Sequence, residues 1–506
     1  MSDRAPNLIY ILADDMGYGD LSCLNPDSRI RTQHLDRLAA DGMSFTDAHA
    51  TSAVCTPSRY SILTGRYNWR SNLKAGVNWG YSPRLVEAGR TTVASYLKER
   101  GYTTMCVGKW HLGWTWPRRR DATEADRGND VDTFDVDYTQ AIADGPTTVG
   151  FDRFFGISAS LDMPPYVYVE DDRVTAVPDR NIDATEGKEF WRAGPIAPDF
   201  AHADVLPTLT GKAVSFIDEQ AQADSPFFLY LPLPAPHTPI LPTADFRGKS
   251  GTNAYGDFCL QVDDVVGQVM AALERHGIAD DTILLFTADN GCSPMADFDE
   301  LAAVGHKPSY VFRGHKADIY EGGHRIPLLV RWPGQVTAGA ESAETVCLVD
   351  LLATMSDILG EVLPDDAGED SVSNLPVWRG GAVDGSLREA TIHHSVNGSF
   401  SIRAGRWKLE MCPGSGGWSY PRPGPECEGL SPIQLYDLDV DIGERSNVES
   451  EHPDIVETLT DLLTRYVLEG RSTPGAPQSN TGSQLWEQLW WMPDENEDLD
   501  EEDSPS

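Results

Sequence analysis

Four short apolar runs stand out along the chain: NLIYILADD (7–15), YTTMCVGKWHLG (102–113), PFFLYLPLPAPHTP (226–239) and DTILLFTADNG (281–291). Each has the length and the nearly continuous apolar character of a strand buried on both faces. Between them lie stretches with helical spacing, TQHLDRLAADG (32–42), TVASYLKERG (92–101) and FCLQVDDVVGQVMAALERHG (258–277), each closing at a glycine. Glycine is the residue that most easily takes the left-handed turn ending a helix. Strands alternating with helices predict an α/β fold, a large and mostly parallel sheet with helices on both faces.

The pattern changes after residue 360. The segment 361–387 is acidic and rich in Gly and Pro, and reads as a linker. SFSIRAG (399–405), RWKLEM (406–411) and IQLYDLD (433–439) then read as short antiparallel strands, and HPDIVETLTDLLTRYVLEG (452–470) as an amphipathic helix. The expected organisation is an α/β domain over 1–385, a small α+β domain over 386–475 and an acidic extension over 476–506. The tail from Met492 is expected to be solvated.

Charge narrows the partners. The 506 residues carry 40 Lys plus Arg against 78 Asp plus Glu, a formal charge of −38. Nucleic acid and anionic membranes are therefore not expected partners, and an anionic substrate would need positive charge concentrated in its site. No stretch has the length of a membrane helix. The start lacks the features of a signal peptide, so the expected location is cytoplasmic, or secreted or periplasmic if a leader has been removed. The 8 cysteines form no CxxC pair, which argues against a zinc cluster or a disulfide scaffold. Free thiols are expected, although Cys412 and Cys427 flank a Gly/Pro-rich loop and could pair in an oxidising compartment.

All four apolar runs pass into polar residues at their C-terminal ends: Asp14-Asp15, Lys109-Trp110-His111, His237 and Asp289-Asn290. Ligands of open α/β sheets bind outside the carboxyl ends of the strands, so these residues should converge on one cleft. Asp14, Asp15, Asp289 and Asn290 would gather three carboxylates and an amide, a set suited to calcium or, second, magnesium. Taken singly, each pair is an ordinary turn sequence. Arg59, Lys109, His111, His237 and Lys316 add the cationic and proton-carrying groups that a tetrahedral oxyanion needs.

Cys55 stands in CTPSR, followed by LTGRY. Alone it would read as a buried thiol beside a turn proline. Together with the Asp pair, GKWHLG, the histidine of PHTP and DNG, it resembles the type I sulfatases of the alkaline-phosphatase-like superfamily. The resemblance runs from about residue 6 to 335 and, through RWKLE and QLYDLD, more weakly to 470. It implies that a maturation enzyme oxidises Cys55 to Cα-formylglycine. One hydroxyl of the aldehyde hydrate then attacks sulfur, and the second lets the diol collapse and expel sulfate. By motif position, Asp14, Asp15, Asp289, Asn290 and residue 55 resemble the metal shell. Arg59 is expected to hold the diol and the carboxylates, and Lys109 and Lys316 the sulfate oxygens. His237, with Lys316 beside it, is expected to protonate the leaving group, and His111 to accept the diol proton. Ser160 falls where relatives place a hydroxyl near the nucleophile.

The expected activity is hydrolysis of a sulfate monoester, with a carbohydrate sulfate as the first expectation. A small aryl sulfate, or a phosphonate monoester or phosphodiester, would fit the same motifs. Trp69, Trp79, Trp114, Trp116, Tyr81, Tyr166 and Tyr168 follow the catalytic motifs and would be suited to stacking on a sugar or aryl ring. Arg118, Arg119 and Arg120 would then meet further anionic groups.

Overall fold

A computed structural model describes residues 5–119, 135–381 and 385–492. Five strands form the parallel centre of a ten-stranded sheet: β1 (Asn7–Asp14), β2 (Thr103–Lys109), β3 (Arg153–Ile157), β4 (Phe227–Pro236) and β5 (Thr282–Ala288). Their spatial order is β5-β1-β4-β2-β3, and each neighbouring pair is parallel. Antiparallel strands extend both sides, β6 (Leu328–Arg331) beside β5 and Val169–Glu170 beside β3. Every residue of β1, β4 and β5 is buried, which is why these strands read as unbroken apolar runs rather than alternating ones.

Helices flank the sheet in two groups. α1 (Gln33–Ala40), α4 (Val205–Gln220) and α5 (Ala254–Arg275) contact one another and the sheet. α2 (Cys55–Thr64), α3 (Val93–Lys98) and the helix Leu351–Ile358 form the second group. The predicted α/β sandwich is therefore present.

β4 is unusual for a central strand because it carries Pro232, Pro234 and Pro236, which have no N–H to donate. Its pairing with β2 stops at Tyr230 opposite Cys106. Its pairing with β1 shifts register after Leu12. Gly108 of β2 then lies against the proline segment. A Cβ there would stand 1.9 Å from the Pro232 carbonyl oxygen, and its φ is +140°. Only glycine lets β2 pass this point and deliver Lys109.

A four-stranded antiparallel sheet follows, Thr391–His394, Phe400–Ala404, Trp407–Glu410 and Gln434–Asp437 in sequence order. Its first strand was not anticipated. Helix α6 (Pro453–Leu468) packs on it, burying Leu459 and Leu463 with Phe400, Ile402 and Leu409. Tyr67 and Trp69, just beyond α2, belong to the same core.

The segment read as a linker is tied down around Glu369 and Asp370. Asp370 is fully buried and accepts from Arg70 Nε and Nη2 at 2.8 Å each and from the Tyr67 amide at 2.8 Å. Glu369 pairs with Arg90 at 2.7 Å and Arg66 at 3.3 Å. Glu369 and Asp370 are thus counter-ions to buried arginines, whereas Glu361, Asp365 and Asp366 are exposed. Residues 476–492 also pack on the body, with Trp486 and Trp491 against Phe400. The acidic residues after Met492, and Arg120, lie outside the described residues. No helix among the described residues is long and apolar enough to cross a membrane.

Removing one partner of a buried ion pair costs about 3–5 kcal/mol, because the other charge stays buried alone. Asp370→Ala should therefore lower the urea unfolding midpoint well beyond experimental error. An unchanged midpoint would mean that this segment is only loosely attached.

Candidate active site

The predicted convergence occurs. Asp14 ends β1, and Asp15 follows with φ +64°, a left-handed turn that aspartate tolerates better than most residues. Lys109 ends β2, His237 follows β4, and Asp289 and Asn290 follow β5. Gly291 is required beside them, since a Cβ would stand 1.9 Å from the Gly322 carbonyl oxygen. Cys55 is the first residue of α2, at the helix end whose dipole favours anions. Arg59 is four residues on, one turn along the same face, which is what the C-x-P-x-R spacing encodes.

Each carboxylate has its own cation. Lys109 Nζ donates to Asp14 Oδ2 at 2.5 Å and Lys316 Nζ to Asp15 Oδ2 at 2.7 Å. Arg59 donates to Asp289 Oδ2 through Nη2 at 2.8 Å and Nε at 3.0 Å, and its Nη1 donates to the Lys109 carbonyl at 2.9 Å. All six residues are at most 5% exposed. With all three carboxylates ionised, three negative and three positive groups give the cluster a formal charge of zero. The sequence argument that the carboxylates need a metal to neutralise them is thus too strong, because the lysines and the arginine already do so.

What points to a cation is instead a set of unused acceptors. Asp14 Oδ1 and Asn290 Oδ1 are buried without a hydrogen-bond partner. Asn290 donates its Nδ2 to Asp15 Oδ1 at 2.7 Å, so the Asn290 carbonyl oxygen stays available. Asp14, Asp15, Cys55 and His237 each present a ligand-type atom, all within 4.8 Å of one another. Asp289 stands beside this set, with Oδ1 accepting the Asp15 amide at 3.2 Å and Oδ2 held by Arg59. Burial, reinforced by Asp14, pushes the Asp289 carboxyl up to about 7. Asp14 is held well below the usual range, burial being outweighed by Lys109, His237 and the other cations. Oxygen acceptors without a donor fit a hard divalent cation.

The proton-carrying groups differ in environment. His111 Nε2 lies 2.8 Å from the Asn78 carbonyl and donates to it, which leaves Nδ1 as an unpartnered buried acceptor. Burial, with Lys109 and Arg59 nearby, lowers the His111 pKa far enough to keep the ring neutral. His237 Nδ1 lies 2.6 Å from the Thr238 carbonyl, and Nε2 faces Asp15 Oδ2 at 3.6 Å. Ser160 bridges, with its Oγ 3.3 Å from Lys109 Nζ and 3.2 Å from His237 Nδ1. Burial pushes the Cys55 thiol up to about 12, so the unmodified side chain is a neutral thiol and not a thiolate nucleophile.

The comparisons with known proteins agree with this geometry. The family model described as Sulfatase matches residues 6–361. The chain belongs to the sulfatase family. It is 34% identical to an N-acetylgalactosamine-6-O-sulfatase of Bacteroides thetaiotaomicron, covering 91% of this chain and 93% of that one. It is 32% identical to human arylsulfatase A, covering 95% and 91%. A solved structure from work on glycosaminoglycan metabolism by Bacteroides thetaiotaomicron superimposes with a TM-score of 0.78 at 33% identity, over 92% of this chain and 99% of that one. The protein is a sulfuric ester hydrolase.

The sulfatase cleft has a volume of about 380 Å³, and Cys55, His111, Ser160, His237 and Lys316 line it. Of the seven aromatic residues expected at its rim, only Trp79 lines it. Trp69, Trp114, Trp116, Tyr81, Tyr166 and Tyr168 are at most 6% exposed and pack the interior. Arg118 and Arg119 do not line it either, and Arg119 pairs with Asp135 at 3.0 Å. The sequence reading missed Asp162, Phe190, Arg192 and Trp418 in the cleft wall. It also missed the Thr56–Asn78 bond of 3.1 Å, which steadies the carbonyl that orients His111. No motif around these residues sets them apart from ordinary loop sequence.

A cation that binds only the folded sulfatase stabilises it by about 2.7 kcal/mol at 100 times its dissociation constant. Calcium should raise the melting temperature of the wild type, and Asp14→Asn should remove most of that rise. Equal rises in both proteins would place the cation elsewhere.

Proposed function

We propose that this sulfatase hydrolyses the sulfate ester of a carbohydrate, with residue 55 matured to formylglycine. The observation that carries the reading is the convergence of Lys109, Lys316, His111 and His237 on one buried cysteine at a helix N-terminus, with each carboxylate beside them individually paired. The N-acetylgalactosamine-6-sulfatases of Bacteroides thetaiotaomicron and mouse, 34% and 29% identical, support an N-acetylgalactosamine 6-sulfate as the first substrate to try.

Asp14, Asp15, Asn290 and residue 55 would hold the divalent cation, for which calcium is the first choice, with Asp289 beside them. When present, the hydrated aldehyde would supply the nucleophile, and the cation would polarise it. The chain's own residues do the rest. Lys109 and Lys316 hold the sulfate oxygens and spread their charge. Arg59 fixes Asp289 and, through the Lys109 carbonyl, the end of β2. His111 takes a proton at Nδ1. His237 gives a proton at Nε2 to the leaving oxygen, with its ring held by the Thr238 carbonyl and Ser160. The cluster is neutral by itself, so a divalent cation would make it positive, as an anionic ester requires.

Two measurements test this. Peptide mass spectrometry should show residue 55 lighter by the difference between a CH2SH and a CHO side chain, and Cys55→Ala should show no multiple turnover. Retained turnover in that variant would exclude the mechanism. Sugar alkoxides need a proton as they leave, whereas p-nitrophenoxide needs it far less. His237→Ala should therefore slow a sugar sulfate by roughly 10²–10⁴-fold and p-nitrophenyl sulfate much less. Lys109→Ala should slow both alike. Faster turnover of phenyl phosphonate or bis-p-nitrophenyl phosphate than of either sulfate would instead assign the chain to phosphorus esters.

A further inference from the structure

The cleft wall holds one carboxylate that the chemistry above leaves unused. Asp162 is 5% exposed and lines the cleft together with Cys55 and His237. Its Oδ2 is held by Arg192 Nη1, and the Arg192 amide donates to the Asp162 carbonyl at 3.0 Å. Its Oδ1 is buried and has no hydrogen-bond partner. Leaving a buried charged acceptor unsatisfied is costly, so such an atom on a residue of the cleft wall is one that a donor would satisfy once the side chain turns toward the cleft.

The partner of this carboxylate is equally well fixed. The Arg192 guanidinium lies 4.8 Å from the ring centre of Trp79 and 5.0 Å from that of Phe190. Both rings line the cleft. With Nη1 committed to Asp162 and two aromatic neighbours setting its plane, Arg192 keeps a side chain 29% exposed in the cleft wall. Asp162 and Arg192 together carry no net charge. A second sulfate group would meet the carboxylate as well as the guanidinium, so the pair does not suit one. A hydroxyl suits both, because it donates to one and accepts from the other.

We propose that Asp162 and Arg192 read the ring hydroxyls of the substrate. Asp162 Oδ1 accepts from one hydroxyl of a sulfated pyranose, and Arg192 donates to the oxygen of its neighbour. The assignment rests on the carbohydrate reading above. It makes the pair specificity-determining: a simple aryl ring brings no donor and leaves Oδ1 unpaired, and sites built around a substrate hydroxyl reject analogues that lack it.

The test compares kcat/KM on a sugar sulfate and on p-nitrophenyl sulfate for wild type, Asp162→Asn, Asp162→Ala and Arg192→Lys. Loss of a hydrogen bond to a charged group corresponds to roughly 10- to 150-fold. The Asp162 variants should lose that much on the sugar sulfate and at least about ten-fold less on the aryl sulfate, by the same estimate. At least one monodeoxy analogue should be a poor substrate for wild type, and Asp162→Ala should no longer distinguish it from the parent sugar. If Asp162→Ala fails to fold, shown by loss of its melting transition, Arg192→Lys and the wild-type deoxy series decide. Equal losses on both substrates in folded variants, or a deoxy series in which no hydroxyl matters, would overturn the assignment and leave the carbohydrate reading standing. Wild-type turnover of p-nitrophenyl sulfate but of no sugar sulfate would overturn both.

Discussion

Three buried carboxylates at adjacent strand ends, each matched to a cation from a different part of the chain, set the terms for the rest of this molecule. Asp14 depends on Lys109 at the end of β2, Asp15 on Lys316 more than three hundred positions later, and Asp289 on Arg59 of α2. A buried charge without its partner costs several kcal/mol, so no pair can form late or out of register without penalty. The parallel order of β5, β1, β4 and β2 and the docking of α2 must all be right together. The same pairs that specify the fold give the site its neutral starting charge.

The placement of α2 follows from this. Its sequence, CTPSRYSILT, has no apolar stripe, yet all ten residues are buried. Its polar side chains therefore need partners on every side. Ser58 donates to the Ser52 carbonyl, Thr51 to Ser61 Oγ, and Tyr60 to Glu87. Just beyond, Gly65 ends the helix, and Arg66, Tyr67 and Arg70 bind Glu369 and Asp370. On the other side, Lys408 of the small sheet lies among Glu444 at 2.6 Å and Glu321 and Glu410 at 3.3 Å each. Glu321 is five residues beyond Lys316. The C-terminal strands thus brace both the helix that carries residue 55 and the segment that carries Lys316, without entering the proton chemistry themselves.

This explains what could be read from the sequence and what could not. β1, β2, β4 and β5 were legible because burial leaves short apolar runs that pass into polar residues, whereas β3 was not read as a strand. The residues at their ends were legible because the strand ends define the cleft. α2 gave no helical signal, since a buried helix bonded all round has no amphipathic period. The acidic strap around Asp370 was misread because composition cannot tell a solvated aspartate from one that answers a buried arginine. The aromatic residues were misassigned for a related reason: composition cannot tell a rim ring from Trp69, Trp114 and Trp116, which fill the space behind the motifs. Asp162 and Arg192 have no motif, and only the cleft itself brings them beside residue 55.

The two histidines of the proposed mechanism meet the cluster in different ways. His111 is buried with Lys109 and Arg59 nearby, where burial and like charge disfavour its protonated form, and the Asn78 carbonyl fixes the proton on Nε2. It can only accept, and only at Nδ1. His237 stands at the cleft, with Nδ1 on the Thr238 carbonyl and Nε2 directed toward Asp15 and the space above residue 55. Lys316 shares the Asp15 Oδ2 atom with His237. Burial alone would lower its pKa, but Asp15 and its other neighbours raise it, so the ammonium keeps its proton and serves as a fixed positive charge. In the proposed mechanism the base is the ring whose proton is fixed on Nε2 by a carbonyl, and the acid is the ring whose Nε2 faces Asp15. That division depends on Lys109 and Arg59 being charged and buried, and therefore on the same carboxylate pairs that hold the strand ends together.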